Sequence, residues 1–275
     1  MNEIKSLEES KIEKIGTDER YCFNITVDVE EGSFLHIGGS PNPLTGKKSP
    51  IFMINEVPAI PATSFKGALR HATELYIQTH FDELRKIFNL DHKNLLVPCL
   101  PASKPTPAEK SLKNYRSRNC EIKFEGEKLK ISEKGICPVC YLFGANGLMG
   151  FLRFNNFLAT TPGQKRMEQT NIRIDRKLNT AARSAIVSGD QVLPGTKFEG
   201  SLEIILKDES YTFGKTRKIG DKVVDQWLNG VEMDDLDENR IKIINNLVFK
   251  PLSNIDRLGG QKSRGGGKVY IKITE

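Results

Sequence analysis

Residues 21–30 read YCFNITVDVE, and polar and apolar positions alternate through them. Cys22, Asn24, Thr26 and Asp28 stand against Phe23, Ile25, Val27 and Val29. A period of two with β-branched residues predicts a strand with one buried face. A helical period follows in IPATSFKGALRHATELYIQTHF. Phe65, Ala68, Leu69, Ala72 and Leu75/Tyr76 recur there at helical spacing, predicting an amphipathic helix over about 64–80. Thr63 and Ser64 are good N-caps, and the other face carries Lys66 and Arg70 one turn apart. A second such helix lies in DDLDENRIKIINNLVF, with Leu236, Arg240, Ile243/Ile244 and Leu247 on one stripe. Further strands are predicted over 150–157, 197–206 and in the closing KVYIKIT, and DQWLNG reads as a short helix. The order strand, helix, strands, helix, strand predicts an α+β domain of the ferredoxin-like kind with insertions.

The 275 residues suffice for one elaborated domain or two small ones. No window approaches 18 consecutive apolar residues, so no transmembrane helix is expected. The charged start MNEIKSLEESKIEKIGTDER carries no secretory signal, which makes the cytoplasm the expected compartment. The net charge of +6 permits nucleic-acid binding without demonstrating it.

Four of five cysteines fall between residues 99 and 140. Their odd total and the cytosolic character argue against a disulfide framework. Cys137-Pro-Val-Cys140 is a C-x2-C knuckle, a spacing that places two thiolates on one metal. Cys99 and Cys120 lie upstream, where the apolar period is lost over about 95–136; that stretch reads as an insertion, not core. A structural zinc on Cys99, Cys120, Cys137 and Cys140 would pin it, with His92 as a substitute ligand. The alternative is four free thiols.

Near the end of the chain stands LGGQKSRGGGK, residues 258–268. A nucleotide P-loop requires G-x-x-x-x-G-K-[ST] opening a helix. Here Lys262 replaces the first glycine, Val269 follows Lys268, and a strand comes next. Two readings remain: a plain turn, or a backbone that approaches an extended phosphate chain with help from Lys262 and Arg264.

IPATSFKGALR resembles the I-P-G-S-S-x-K-G-x-x-R signature opening the first helix in the RAMP superfamily of CRISPR-associated proteins. LGGQKSRGGGKV resembles that superfamily's C-terminal glycine-rich loop, and CPVCYLFGANG its L-F-G segment. NIRIDRKLNTAARSAIVSGDQVLPGTKFEGSLEI is similar to the R-x-D-R…E-x-[VL]-x-x-G-x-x-F region of the repeated backbone subunits of type III effector complexes. The resemblance implies a modified RNA-recognition-motif (ferredoxin-like) core with inserted lid/zinc-binding and thumb elements. It implies a single domain over 21–275 after an N-terminal extension, with insertions at about 91–140 and 160–196. The implied partners are CRISPR guide RNA, target RNA, and copies of the chain or related subunits, in antiviral defence, with no membrane. Base pairing would read the sequence, and protein would hold the backbone. The implied RNA-binding residues are Ser64, Lys66 and Arg70 at the helix start; Arg173, Arg176, Lys177 and Arg183 in the thumb; and Gly260, Lys262, Arg264, Gly265 and Gly266 in the glycine loop. His36, with Gly38 and Gly39, either faces RNA or is an ordinary loop residue.

In active backbone subunits of the family, an Asp just ahead of an S-P-[VI] segment supports metal-dependent cutting of target RNA. Lys48 precedes Ser49-Pro50 here, and no Asp lies between Glu31 and Pro61. An RNA-binding scaffold is therefore expected, with Lys48 and His36 as weak catalytic candidates. The alternatives are a target-cleaving endoribonuclease, which would need a divalent metal such as Mg, and a guide-processing one using His36 as general acid or base.

Overall fold

The expected alternation is realised in a long strand whose Phe23, Ile25, Val27 and Val29 are buried while Asn24 faces solvent. The computed structural model describes residues 12–15, 17–40, 49–90, 95–100, 106–107, 111, 115–116, 119–126, 128–132, 134–160, 166–228 and 236–274. Strand β1 (Ile12–Ile15) folds back antiparallel onto β2 (Asp18–Val29). A tight hairpin of β3 (Met53–Ile54) and β4 (Val57–Ile60) turns through Asn55 and Glu56, both at positive φ, and leads into α1 (Ala62–Thr79) and α2 (Phe81–Ile87). The hairpin of β5 (Ile122–Glu125) and β6 (Lys128–Ile131) precedes the short helix α3 (Pro138–Phe143). Strands β7 (Leu152–Phe154) and β8 (Phe157–Ala159) come next. A two-stranded ribbon of β9 (Arg166–Asp175) and β10 (Thr180–Val192) then leads to β11 (Lys197–Lys207). After a small hairpin, β12 (Lys218–Ile219) with β13 (Lys222–Val223), and a 3₁₀ turn at Gln226–Leu228, helix α4 spans Leu236–Ile244. It runs through a π turn, Asn245–Phe249, into α5 (Lys250–Ser253), and β14 (Val269–Thr274) closes the chain.

The central sheet is antiparallel. β2 pairs with β14 on one side and β11 on the other, and β11 pairs outward with β7 and β8. Four strands thus stand in the spatial order β14–β2–β11–β7. In chain order they run β2, α1, β7, β11, α4, β14, a split strand–helix–strand repeated twice. Both helical segments cover the same face. Phe65 of α1 packs on Phe157, with ring centroids 4.4 Å apart, and Phe249 meets Phe23 edge-on at 5.2 Å. The Thr73 hydroxyl of α1, 2.9 Å from the Leu69 carbonyl of its own helix, also lies 3.2 Å from the Leu247 carbonyl of the π turn, so the two helices share one hydrogen bond. No helix among the described residues is long and apolar enough to cross a membrane.

Several expectations are corrected. Thr63 and Ser64 do not cap α1: the helix begins at Ala62 after Pro61, with no side-chain cap from its own N-cap residue. The Ala62 amide donates to Asn156 Oδ1 at 2.8 Å, from 94 residues away. The strand expected over 150–157 is interrupted, because Asn155 and Asn156 turn out to bond Ser201 and Ala62. The stretch 95–136 is not outside the core, since Leu96, Leu100, Ile122 and Ile136 are buried. Residues 12–15 and 18–20, expected in an N-terminal extension, lie in the main sheet. The DQWLNG helix is one 3₁₀ turn, which buries Trp227. The second amphipathic helix is α-helical only to Ile244.

Candidate metal centre and nucleic-acid interface

The knuckle folds as its spacing demands. Cys137 stands just ahead of α3, and its sulfur accepts from the Cys140 amide at 3.4 Å, while the Cys137 amide donates to the Cys120 sulfur at 3.3 Å. Cys99 closes the set, with its sulfur 3.3 Å from that of Cys140. All four cysteines are buried and their sulfurs lie within 4.8 Å of one another. A tetrahedral zinc with bonds of about 2.3 Å sets sulfurs about 3.8 Å apart, so small shifts suffice, inward for the wider pairs and outward for Cys99 and Cys140. The surroundings suit thiolates. Arg70 Nη2 lies 3.2 Å from the Cys140 sulfur and Arg116 Nη1 lies 3.9 Å from that of Cys120. Burial pushes the Cys137 thiol up, but hydrogen bonds from Cys120, Cys140 and Cys99 outweigh it and carry the group well below the usual thiol range. Sulfur hydrogen bonds raise Cys99 and Cys140 in turn. The donor set fits a closed structural zinc. His92 lies outside the described residues, and four sulfurs complete the set without it. Cys22 stands apart in β2, where burial pushes its thiol up to about 11.

A second assembly joins three distant segments. The first loop, the root of the β9–β10 ribbon and the glycine-rich loop are tied together by backbone contacts. Leu35 exchanges amide bonds with Val192, the Asp190 amide donates to the Ser49 carbonyl, the Gly260 amide to the His36 carbonyl at 2.8 Å and the Gly267 amide to the Phe34 carbonyl at 2.7 Å. The Ser33 hydroxyl donates to the Gly265 carbonyl and accepts from the Lys268 amide. Gln191 bridges to Gln261. Gly259 is obligatory here: at φ +71°, its Cβ would lie 2.3 Å from the His36 carbonyl oxygen. The tip of the loop is a single 3₁₀ turn, Lys262–Arg264, with all three residues exposed. No ion pair reaches Lys262 or Arg264 among the described residues. His36 is built into this scaffold. Its Nδ1 lies 2.7 Å from the Asp190 carbonyl and therefore carries the proton, and Nε2 lies 3.1 Å from the Ser49 hydroxyl.

A family model of the RAMP superfamily matches residues 30–270. The chain belongs to the RAMP superfamily. No curated protein matches it. Among solved structures, this RAMP chain is similar to a chain in a cryo-EM structure of a type III-B Cmr-beta bound to cognate target RNA. The two are 12% identical with a TM-score of 0.45. The match covers 93% of the RAMP chain and 59% of the other, so the RAMP chain spans about three fifths of that chain's length.

The residues expected to meet RNA do not form one cluster in this RAMP protein. Ser64 is exposed at the start of α1. Lys66 and Arg70 line a groove of about 790 Å³ shared with Arg153, Phe154, Cys99, Cys120 and Cys140, and burial and Arg70 together lower the Lys66 amine. Ala68, His71 and Leu75 line a different groove of about 270 Å³, closed by Asn254–Arg257 and Lys262. At 3.6 residues per turn those positions stand about half a turn from Lys66 and Arg70. The glycine loop and the Lys66–Arg70 pair therefore flank α1 on opposite sides. Arg70 departs furthest from expectation: each of its three guanidinium nitrogens has a protein partner, at Glu74, Gly144 and Cys140. Gly260 and Gly265 are exposed in the loop, whereas Gly266 is buried against Gln261. Arg176 and Lys177 are exposed at the turn of the ribbon, Arg173 lies in β9, and Arg183 lies in β10. Lys48 lies outside the described residues. Sequence reasoning missed Arg116 and Arg257. Arg257 holds the Gly266 carbonyl at 2.9 Å, and only the backbone it supports gives it meaning.

Proposed function

We propose that this chain is a guide-RNA-binding backbone subunit of a type III CRISPR ribonucleoprotein effector complex in antiviral defence, positioning target RNA along the guide. The core is a modified RNA-recognition-motif (ferredoxin-like) fold; the order β14–β2–β11–β7 with both helices on one face supports that reading. The observation that carries the function is the second assembly. Three segments spend their backbone bonds on one another and leave Lys262 and Arg264 outward without ion pairs among the described residues. Cations held out on a rigid scaffold suit a phosphate backbone read without regard to sequence. The β9–β10 ribbon, with Arg176 and Lys177 at its turn, fits a thumb reaching across the guide–target duplex. The cysteine set holds a structural zinc that pins the insertion. Neighbouring copies or related subunits are the protein partners.

The test is purification from cells that also express a CRISPR array. Guide RNA is expected to co-purify, and stripped protein to rebind it with an affinity that falls steeply with salt. A preparation carrying no nucleic acid and binding none at low salt overturns the reading. Regularly spaced cutting of complementary RNA, abolished by one substitution in this chain, would assign the endoribonuclease activity instead.

A further inference from the structure

We propose that Arg70 and Arg116 are positioning residues of the metal centre, holding the ligand segments in place and offsetting the charge of a tetrathiolate zinc. Arg70's place in the α1 signature is then a metal-site role and not a phosphate contact. The inference rests on the zinc reading above.

The charge balance comes first. Four thiolates and one Zn²⁺ sum to −2, in a site whose four cysteines are almost completely buried. A buried net charge is disfavoured unless paired. Arg70 and Arg116 bring two positive charges, with guanidinium nitrogens 3.2 Å from the Cys140 sulfur and 3.9 Å from the Cys120 sulfur respectively. The Glu74 carboxylate paired with Arg70 returns one negative charge, so the arginines offset part of the −2.

Geometry gives each arginine a second task. Arg116 donates to four carbonyls. Those of Leu95 (2.7 Å) and Val97 (2.9 Å) lie just upstream of Cys99, and those of Gly135 (2.8 Å) and Lys134 (3.3 Å) just upstream of Cys137. Arg116 itself stands four residues before Cys120. One side chain therefore fixes the spacing of three ligand-bearing segments before any metal arrives. Arg70 reaches from α1 to the other end of the site, donating to the Cys140 sulfur and to the carbonyl of Gly144 just beyond α3. Its Nε pairs with Glu74 at 3.1 Å. With a bond from each of its three nitrogens and the side chain 19% exposed, it is held in place by protein partners.

The experiment compares the full-length wild type with Arg70→Ala, Arg116→Ala, Arg70→Lys and Arg116→Lys. Metal analysis of the wild type comes first: a zinc-free wild type ends the zinc reading and this inference with it. In a zinc-loaded wild type, competition with a chromogenic chelator is read for each variant. The alanine variants are expected to hold zinc about 10–100-fold more weakly, the usual effect of removing an outer partner of a metal ligand. The lysine variants should recover part of that loss, since they keep the charge and lose the fork. Arg70→Ala is also expected to leave the slope of log RNA affinity against log salt unchanged. Zinc retention within twofold of wild type, together with a slope shallower by about one, would make Arg70 a phosphate ligand and overturn the inference. If Arg70→Ala does not fold, Arg70→Lys decides by the same two measurements.

Discussion

The cysteine set and the glycine loop both collect residues far apart in the chain, yet they spend their bonding capacity in opposite ways. Around the cysteines sulfurs meet amides and guanidiniums, and those guanidiniums meet carbonyls and a carboxylate. In the glycine loop backbone bonds anchor the base to the first loop while the cationic side chains at its tip are exposed. A region that completes its own valences holds shape. A region that anchors its base and leaves its cationic tip unpaired has something left for a partner. This contrast separates structural from recognition chemistry in a chain where basic residues occur in both.

The largest test of the contrast is metal removal. Chelation, or Cys137→Ser, should collapse the packing of the 95–144 region and lower Tm steeply. Structural zinc in small domains contributes an apparent folding energy of about 10–16 kcal/mol, part of which the surrounding core replaces here. Acid should act in the same direction, because protons compete with zinc for the sulfurs and retention falls as pH falls. A melting curve unmoved by chelator would break the comparison.

A smaller effect is expected next to the same region. Arg217 and Asp225 form an ion pair with side chains 1% and 0% exposed, and the Arg217 guanidinium lies 4.9 Å from the Tyr141 ring centre in α3. Asp225→Ala strands a buried cation and should cost about 3–5 kcal/mol in denaturant unfolding. A cost under about 1 kcal/mol would mean that water reaches the site and that its closure is overstated.

The smallest stability effect belongs to the glycine loop. Lys262→Ala and Arg264→Ala should leave Tm unchanged and each flatten the salt dependence of RNA binding by about one unit of slope. An unchanged slope would remove those side chains from the RNA surface and erase the difference between the two regions.

The legible parts of this molecule were those written in local spacing. The alternation of β2, the C-x2-C turn, the basic ribbon and the strand after the glycine loop each depend on neighbours a few residues away. What the sequence could not carry were single contacts across the fold. Asn156 caps α1 over 94 positions, and Arg70 finds a sulfur 70 positions on. The stripe of α1 was read only in part: Phe65, Leu69 and Tyr76 are buried, but Thr73 and Ile77 join them, while Leu75 is exposed and lines the groove beside the glycine loop with Ala68. The insertion was read as lacking core because its apolar residues follow no period. They are buried by the cysteine geometry around them, which no periodic template detects.

The hydroxyl that α1 lends to Leu247 has a consequence for how the two helices are placed. Thr73 has a local partner, the Leu69 carbonyl at 2.9 Å, and a distant one, the Leu247 carbonyl at 3.2 Å. A single hydroxyl proton lies between two carbonyls, one on each helix. Sliding either helix by one residue would keep the local half of that contact and break the distant half. Position 73 thus works as a vernier mark between the two helices, sensitive to their register and indifferent to their individual stability.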